Sequence, residues 1–172
     1  AGEADGKVEG CTNYADIEGD VNVGGIAGAM AVEHDLDPED DIDIEGNLST
    51  DFDYSTKAVI RSCTNRGKVT GKKDSTGGIA GEVDFGCIIE CYGYGEIKST
   101  SGNYVGGIAG NCKTLIRDSY AKCVLFGTDY IGGVAGSIKD VKNCSTLVKV
   151  TDSNEYVGTI AGEVTGTAES NY

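Results

Sequence analysis

Short alternations of apolar and polar residues are the dominant pattern along the chain. Val21 and Val23 flank a polar residue, and the runs Lys68-Val69-Thr70, Glu96-Ile97-Lys98 and Leu147-Val148-Lys149-Val150 are short and rich in β-branched residues. Each run is bounded by Gly, Asn, Asp or Ser, the residues that favour turns. Because no window of eleven residues sustains an apolar i, i+3, i+4 pattern, the sequence predicts short β-strands and no helices.

A five-residue phrase, Gly-Gly-hydrophobic-Ala-Gly, recurs along the chain. It starts at Gly24, Gly77, Gly106 and Gly132, and it returns at Gly158 as Gly-Thr-Ile-Ala-Gly. Successive starts are 53, 29, 26 and 26 residues apart, so the unit is about 26 residues long and the first step contains an insertion. Self-similarity at such a period predicts stacked supersecondary units that share one core.

A unit of this length with three short strands fits one coil of a three-sided parallel β-solenoid. We therefore predict an all-β fold with right-handed coils and a single domain over residues 1–172, a fragment of a longer protein, with an insertion over residues 31–56. Coils of such a fold lie roughly 4.8 Å apart, so equivalent side chains form ladders. One predicted ladder is apolar and consists of Ile26, Ile79, Ile108, Val134 and Ile160.

The paired glycines of the phrase are predicted to serve a sharp corner. Without a Cβ, glycine permits either a positive φ or a close approach of two backbones. The glycines concerned are Gly24, Gly25, Gly77, Gly78, Gly106, Gly107, Gly132, Gly133 and Gly158.

Two copies of the phrase carry a family resemblance. Tyr104-Val105-Gly106-Gly107-Ile108-Ala109-Gly110 and Tyr130-Ile131-Gly132-Gly133-Val134-Ala135-Gly136 resemble the GLUG motif, a repeat of bacterial surface proteins that also occurs in IgA-specific metallopeptidases. This chain favours Ile-Ala where the family often has Leu-Val, and Thr159 replaces the second glycine of the last copy. The resemblance implies a secreted or wall-attached bacterial protein, located outside the cell, in which the repeats accompany other domains. It supplies no catalytic residue.

A second column of the repeat contains cysteine. Cys11, Cys63, Cys91, Ser119 and Cys144 lie 13 to 15 residues before the glycine pairs, and Ser170 is predicted to echo Ser119. We expect the column to be buried and reduced. A disulfide between stacked coils stays open, because about 4.8 Å lies within the allowed Cα separation. Cys87, Cys112 and Cys123 fall elsewhere, and the absence of a C-x-x-C pair argues against a zinc site.

Acidity is concentrated in the insertion. The net charge is −14, and residues 33–53 hold ten carboxylates and no Lys or Arg; without these ten the net charge is −4. Within the insertion, Asp41-Ile42-Asp43-Ile44-Glu45 and the stretch Leu48 to Tyr54 flank Gly46-Asn47. Alternation on both sides of a Gly-Asn pair predicts a β-hairpin with a carboxylate face.

Calcium is one candidate ligand of this hairpin. Asp41, Asp43 and Glu45 reproduce the first half of an EF-hand-like loop, but its twelfth position is Phe52 rather than Glu. In addition, a strand spreads alternate carboxylates along one face instead of wrapping them around an ion. The alternative is that the acids keep an exposed hairpin soluble and prevent it from pairing with other edges. No other cofactor is predicted.

A tyrosine column forms a second candidate site. Tyr104, Tyr130 and Tyr156 stand two residues before their glycine pairs, and each follows a residue with a side-chain oxygen: Asn103, Asp129 and Glu155. Stacked rings flanked by acceptors would suit a glycan ligand. The alternative is that the tyrosines protect a corner and stabilise the ladder, since the first two copies have Asn22 and Ser75 there.

Other classes of function have little support in the sequence. No H-E-x-x-H, P-loop or nucleophile elbow occurs, and the one histidine, His34, has no nucleophile at motif spacing, so we predict no enzyme. Acids outnumber bases 28 to 14, which disfavours nucleic acid. No stretch of 18 apolar residues exists, so no membrane insertion is predicted.

Three functions therefore remain from the sequence. The first is a stalk, spacer or adhesion segment of a surface protein, whose partners are neighbouring domains. The second is a module that binds a glycan or a host surface protein through the tyrosines or the acidic hairpin. The third, a carbohydrate-active β-helix, is the least favoured, because no cluster of Arg or Lys is apparent that would hold an acidic polysaccharide.

Overall fold

A computed structural model describes residues 2, 6–31, 58–151 and 155–172 of the chain. Within this part the chain forms 22 strands and no helix. The first coil contains β1 (Lys7–Glu9), β2 (Thr12–Asn13), β3 (Ile17–Gly19), β4 (Val23–Gly24) and β5 (Ala27–Met30). The second contains β6 (Val59–Arg61), β7 (Thr64–Asn65), β8 (Val69–Gly71), β9 (Thr76–Gly77) and β10 (Ala80–Val83).

In the next coils several short strands merge into long ones. These strands are β11 (Cys87–Ile89), β12 (Tyr92–Ser99), β13 (Val105–Gly106), β14 (Ala109–Arg117), β15 (Tyr120–Phe126), β16 (Ile131–Gly132) and β17 (Ala135–Lys142). The last coil returns to short strands, which are β18 (Ser145–Thr146), β19 (Lys149–Thr151), β20 (Val157–Gly158), β21 (Ala161–Val164) and β22 (Ala168–Glu169).

The strands form three sheets, and every pairing between them is parallel. The first sheet has nine strands (β1, β5, β6, β10, β11, β14, β17, β21 and β22), and the second has eight (β2, β3, β7, β8, β12, β15, β18 and β19). The third sheet stacks the five glycine strands in the order β20-β16-β13-β9-β4. About four turns of the coil separate the first of these strands from the last. The predicted parallel β-solenoid is confirmed, with up to five short strands per coil rather than three.

Ladders of identical or similar residues fill the interior. Within the predicted ladder the backbone N–H of Ile79 donates to the carbonyl oxygen of Ile108 at 2.8 Å, and Ile108 donates to Val134 at 2.8 Å. All three side chains are fully buried, whereas Ile26 and Ile160 in the outermost coils are half-buried. Because each coil bonds to the next in register, like residues bury one another.

A one-residue shift changes the distance from the glycine column to the cysteine column that follows it, from 13 residues between Gly106 and Ser119 to 12 between Gly132 and Cys144. Between β14 and β17 the register pairs Cys112 with Ile138 but Leu115 with Asp140, so one strand contains an extra residue there. Such a β-bulge changes the distance between two columns without disturbing either of them.

The glycine pairs serve close approach rather than positive φ. None of the paired glycines lies in the left-handed region, so close approach is the alternative that applies. A Cβ on Gly106 would overlap the carbonyl oxygen of Ala109 and lie 2.6 Å from the Cα of Ala135 in the next coil. The positive φ falls two residues earlier, at Asn22, Ser75, Tyr104, Tyr130 and Tyr156.

The predicted insertion leaves the solenoid between β5 and β6. The described chain ends at Ala31 on one side and resumes at Ala58 on the other. The acidic hairpin predicted between them therefore lies outside the described residues.

We expect Gly107→Val to destabilise the fold more than Val105→Ala. A Cβ on Gly107 would overlap the carbonyl oxygen of Gly133 and lie 2.6 Å from the Cβ of Ala121. Because one obstacle is a backbone carbonyl and the other is the rigid methyl group of a fully buried alanine, the cost should exceed about 3 kcal/mol. Truncating the fully buried Val105 should cost about 2 kcal/mol. Urea unfolding of the two variants measures both values, and the reverse order would contradict the close packing of the third sheet.

Candidate functional site

The structure brings the three predicted tyrosines together in one row. The ring centroids of Tyr104 and Tyr130 lie 4.9 Å apart with a 30° angle between the rings. Those of Tyr130 and Tyr156 lie 4.5 Å apart and are parallel to within 3°. We call these residues the tyrosine row. Its rings stack on one another, so both faces of the central ring are covered.

The backbone explains why the rings project at this corner. Tyr104, Tyr130 and Tyr156 have φ values of 62°, 54° and 54°, in the left-handed region that non-glycine residues seldom adopt. The final glycine of the phrase packs against this corner: a Cβ on Gly136 would lie 2.5 Å from the Cα of Tyr104. Ring stacking helps to offset a backbone conformation that costs roughly 1 to 2 kcal/mol per residue.

The predicted acceptors Asn103, Asp129 and Glu155 also stack in adjacent coils, but the carboxylate of Asp129 binds the backbone of the next coil. The carboxylate of Asp129 accepts a hydrogen bond from the backbone N–H of Glu155 at 3.0 Å. In the preceding coils the carboxylate of Asp74 accepts from the N–H of Asn103 at 2.7 Å. Both bonds tie one coil to the next. Asp129 therefore contributes to coil stacking as well as to the surface.

The exposed part of the tyrosine row is made of ring edges and phenol groups. Tyr104 and Tyr130 are half-buried, and the outermost ring, Tyr156, is 54% exposed. Desolvation raises the pKa of the Tyr130 phenol, and the neighbouring Tyr156 and Glu163 raise it further. The phenol stays protonated at neutral pH and can donate a hydrogen bond. The stacking therefore fits the structural role better than a flat platform for sugars.

The calcium prediction concerns residues outside the description. Asp41, Asp43 and Glu45 lie in the undescribed segment, and so does His34. Among the described residues, no group of three or more His, Cys, Asp or Glu side chains is placed to hold a metal ion.

The cysteine column is a hydrogen-bonded ladder. Cys63, Cys91 and Cys144 are buried free thiols, and Cys11 in the outermost coil is an exposed free thiol. Each buried thiol donates to the carbonyl oxygen two residues earlier, at 3.2 Å, 3.3 Å and 3.4 Å respectively. Ser119 does the same at 2.9 Å and also accepts from the N–H of Cys91 at 3.1 Å.

The residue that continues this column is Asn171, not Ser170 as predicted. The carboxamide oxygen of Asn171 accepts from the N–H of Cys144 at 2.9 Å, as Ser119 does from Cys91. Ser170 instead shares the positive φ of Asn143, 52° against 51°. The prediction aligned Ser170 with Ser119 because both are serines, and this alignment is one position too early in the sequence.

Burial makes most of the thiols poor nucleophiles. Burial raises the pKa of Cys91 and of Cys123 to about 12, and that of Cys112 to about 11. The thiolate is the reactive species, so these groups are inert near neutral pH. The two remaining buried members of the column, Cys63 and Cys144, also have raised pKa values.

A cluster of cations that the sequence analysis missed lies on the outer face of the second sheet. The register places Arg66 level with Tyr94 and Lys122, and Lys68 level with Glu96, Val124 and Lys149. Lys98 lies level with Phe126 in a third row. We call this surface the cationic face, and its basic residues are Arg66, Lys68, Lys98, Lys122 and Lys149. Some of these residues are separated by 28 or more positions in the sequence. Only the register between coils shows that they share a face.

Aromatic rings are interleaved with these cations. The guanidinium of Arg66 lies 4.8 Å from the ring centroid of Tyr94, and the ammonium of Lys98 lies 5.8 Å from that of Phe126. Tyr94 meets Tyr120 edge to face at 6.2 Å. Cation–π contacts hold long side chains in place without cancelling their charge.

A shallow hollow of about 510 Å³ opens on the cationic face. Its walls come from three coils and consist of Gly95, Glu96, Lys122, Cys123, Val124, Leu147, Val148 and Lys149. Leu147 is 61% exposed, and Lys122 and Lys149 lie on the surface. The hollow thus combines an apolar lining with two ammonium groups and the carboxylate of Glu96.

Comparison of the chain with family models, with curated proteins and with solved structures found no match. Across the described part of the chain, no helix has the length and apolar character needed to cross a membrane.

We expect thiol reagents to distinguish the exposed Cys11 from the buried cysteines by its rate of reaction. At about pH 8 the exposed Cys11 should react rapidly in the native chain, whereas Cys91, Cys112 and Cys123 should react only after unfolding, because their pKa values are raised. Mass spectrometry of the labelled peptides identifies each site. Cys11→Ser is the control, which should abolish the rapid labelling of that peptide. Rapid modification of Cys91 or Cys123 without denaturant would contradict the buried ladder.

Proposed function

We propose that the chain is a non-catalytic repeat domain of a secreted or wall-attached bacterial surface protein, and that it acts as a spacer between neighbouring domains. The observation that carries this proposal is the unbroken parallel stacking of five glycine strands in the third sheet. A stack of this kind has a length set by the number of coils, at roughly 4.8 Å for each coil. The resemblance to the GLUG motif supports the extracellular location.

The use of surface side chains agrees with this role. Several polar groups bond to the neighbouring coil rather than converge on one point. Asp140 accepts from the backbone N–H and the hydroxyl of Thr167 at 2.8 Å and 2.7 Å. Asp118 accepts from the carboxamide of Asn143 at 2.7 Å. Such ties stiffen the stack along its axis, which is what a spacer requires.

A change in coil number tests the spacer role. We expect a variant that carries a second copy of residues 106–131 to fold and to lengthen by about 5 Å, because each coil contacts only its neighbours. Energy transfer between fluorescent domains fused to the two ends measures the added distance.

The control for this experiment is a flexible Gly-Ser insertion of equal length at the C-terminal end. It should broaden the distribution of distances instead of adding a fixed increment. A duplicated coil that unfolds the domain, or that leaves the distance unchanged, would argue against a spacer. Antibody labelling of intact cells, with and without protease treatment, separately tests the surface location.

Binding of a glycan or host protein through the tyrosine row is the second candidate. The observation that favours it is the exposure of Tyr156 at the end of a row of phenol groups. The stacked rings limit this site to edges and hydroxyls.

A glycan array distinguishes the two functions of the tyrosine row. If the row only stabilises the corner, replacing Tyr104, Tyr130 and Tyr156 together by Ala should lower the melting temperature and leave the array signals of the folded protein unchanged. Loss of a specific signal in a variant that remains folded would favour the binding function instead.

A further inference from the structure

The cationic face differs in charge from the rest of this acidic chain. In the outward rows of the second to fifth coils, the register collects five cations and a single carboxylate, Glu96. The whole chain has a net charge of −14, but ten of its carboxylates belong to residues 33–53. Among the described residues, a ligand that touches this face therefore meets more positive than negative charge.

Most of these cations have no acidic partner among the described residues. Glu96 pairs with Lys68, at 2.7 Å. Arg66 and Lys98 lie over aromatic rings, and Lys122 and Lys149 form no ion pair with any described residue. Four positive groups on one face thus remain able to bind an anion.

The hollow supplies an apolar surface between two of these groups. Lys122 and Lys149 both line it, together with Val124, Leu147, Val148 and Glu96, whose carboxylate pairs with Lys68. An ammonium beside exposed aliphatic carbon suits a ligand that carries a carboxylate and C–H surface on the same unit. The 42% exposed ring of Tyr92, in the row next to Tyr94, adds a further surface for C–H groups.

The repeating arrangement of the face favours a repeating ligand. In one row Arg66 and Lys122 lie two coils apart, roughly 10 Å at about 4.8 Å for each coil, with Tyr94 between them, so a polymer of identical units can meet a cation at alternate coils. Arg66, Lys98 and Lys122 belong to inner coils of the second sheet, where the backbone groups pair with the coils on either side, whereas Lys149 lies in β19, which pairs only with β15 among the described strands. An extended peptide therefore cannot add a strand over the inner coils, and its backbone polar groups would go unpaired there.

From these observations we infer that the cationic face binds an acidic polysaccharide, a polymer of uronic-acid sugars. A sugar carboxylate lies between Lys122 and Lys149, and the C–H face of the ring covers Leu147 and Val124. Arg66 and Lys98 meet carboxylates of neighbouring sugars. This binding is independent of the spacer role, since a spacer without a ligand would keep the same fold.

Titration of the intact chain with uronic-acid polymers tests this inference. The probes are oligomers of polygalacturonate, alginate and hyaluronate, and binding is measured by calorimetry. We expect at least one polymer to bind, and Lys122→Ala combined with Lys149→Ala to weaken that binding roughly tenfold or more. The affinity should fall as salt is raised, because charged contacts contribute to it. Leu147→Ala should weaken binding as well, while circular dichroism stays unchanged.

Matched controls distinguish binding at this site from non-specific electrostatic attraction between the chain and the polymer. Lys72→Ala with Lys139→Ala removes the same charge from two exposed lysines outside the hollow, and it should leave the affinity within about twofold. Methyl-esterified polygalacturonate has the same backbone without the charge and should bind roughly tenfold more weakly or worse.

Several outcomes would overturn the inference. They are no binding to any of the three polymers, equal binding of the ester and the acid, equal losses in the two lysine pairs, or tighter binding of single-stranded DNA or of an acidic peptide than of every uronic-acid polymer. None of these results bears on the change in length with coil number, so the spacer role is tested separately.

Discussion

Parallel, in-register hydrogen bonding between successive coils is the constraint on which the rest of this structure depends. Each coil uses its backbone N–H and C=O groups to bond to the coils on either side, as in the pairing of β12 with β7, β8 and β15. Because this bonding fixes which residues lie above one another, every position becomes a column. A column is stable when its members tolerate identical neighbours at roughly 4.8 Å, which disfavours stacked like charges and favours Ile, Cys, Gly and Tyr.

The corner before each glycine pair shows how one requirement of the backbone determines several side chains. The chain needs a left-handed residue there, and Asn22 in the first coil suits that conformation by itself. Tyrosine does not, yet three of them occupy the corner in the later coils and stack on one another. The glycines on either side of the corner leave room for it, since a Cβ on Gly136 would meet Tyr104. The same geometry commits the ring faces of the tyrosine row to stacking on one another.

Surface chemistry in this fold also follows from the columns. Charges that alternate in sign along a column, such as Lys68 and Glu96, pair between coils and contribute little net charge. Where an aromatic ring replaces the acid, as for Arg66 over Tyr94, the cation is held but keeps its charge. The cationic face arises from this substitution of rings for acids in the outward rows of the second sheet.

The amino-acid sequence by itself determined the period, the parallel β-solenoid and the identity of the apolar, cysteine and tyrosine columns, because a repeated phrase specifies which residues are equivalent. It did not determine which residue takes the left-handed conformation, since glycine permits positive φ but does not require it. Nor did it place Asn171 in the cysteine column, where only the hydrogen bond to Cys144 identifies the true partner. The gathering of Lys122 and Lys149 around one hollow was likewise decided by the tertiary structure. Their neighbourhood depends on the offset between coils, which a β-bulge or a shortened turn changes by one or two residues without any clear mark in the sequence.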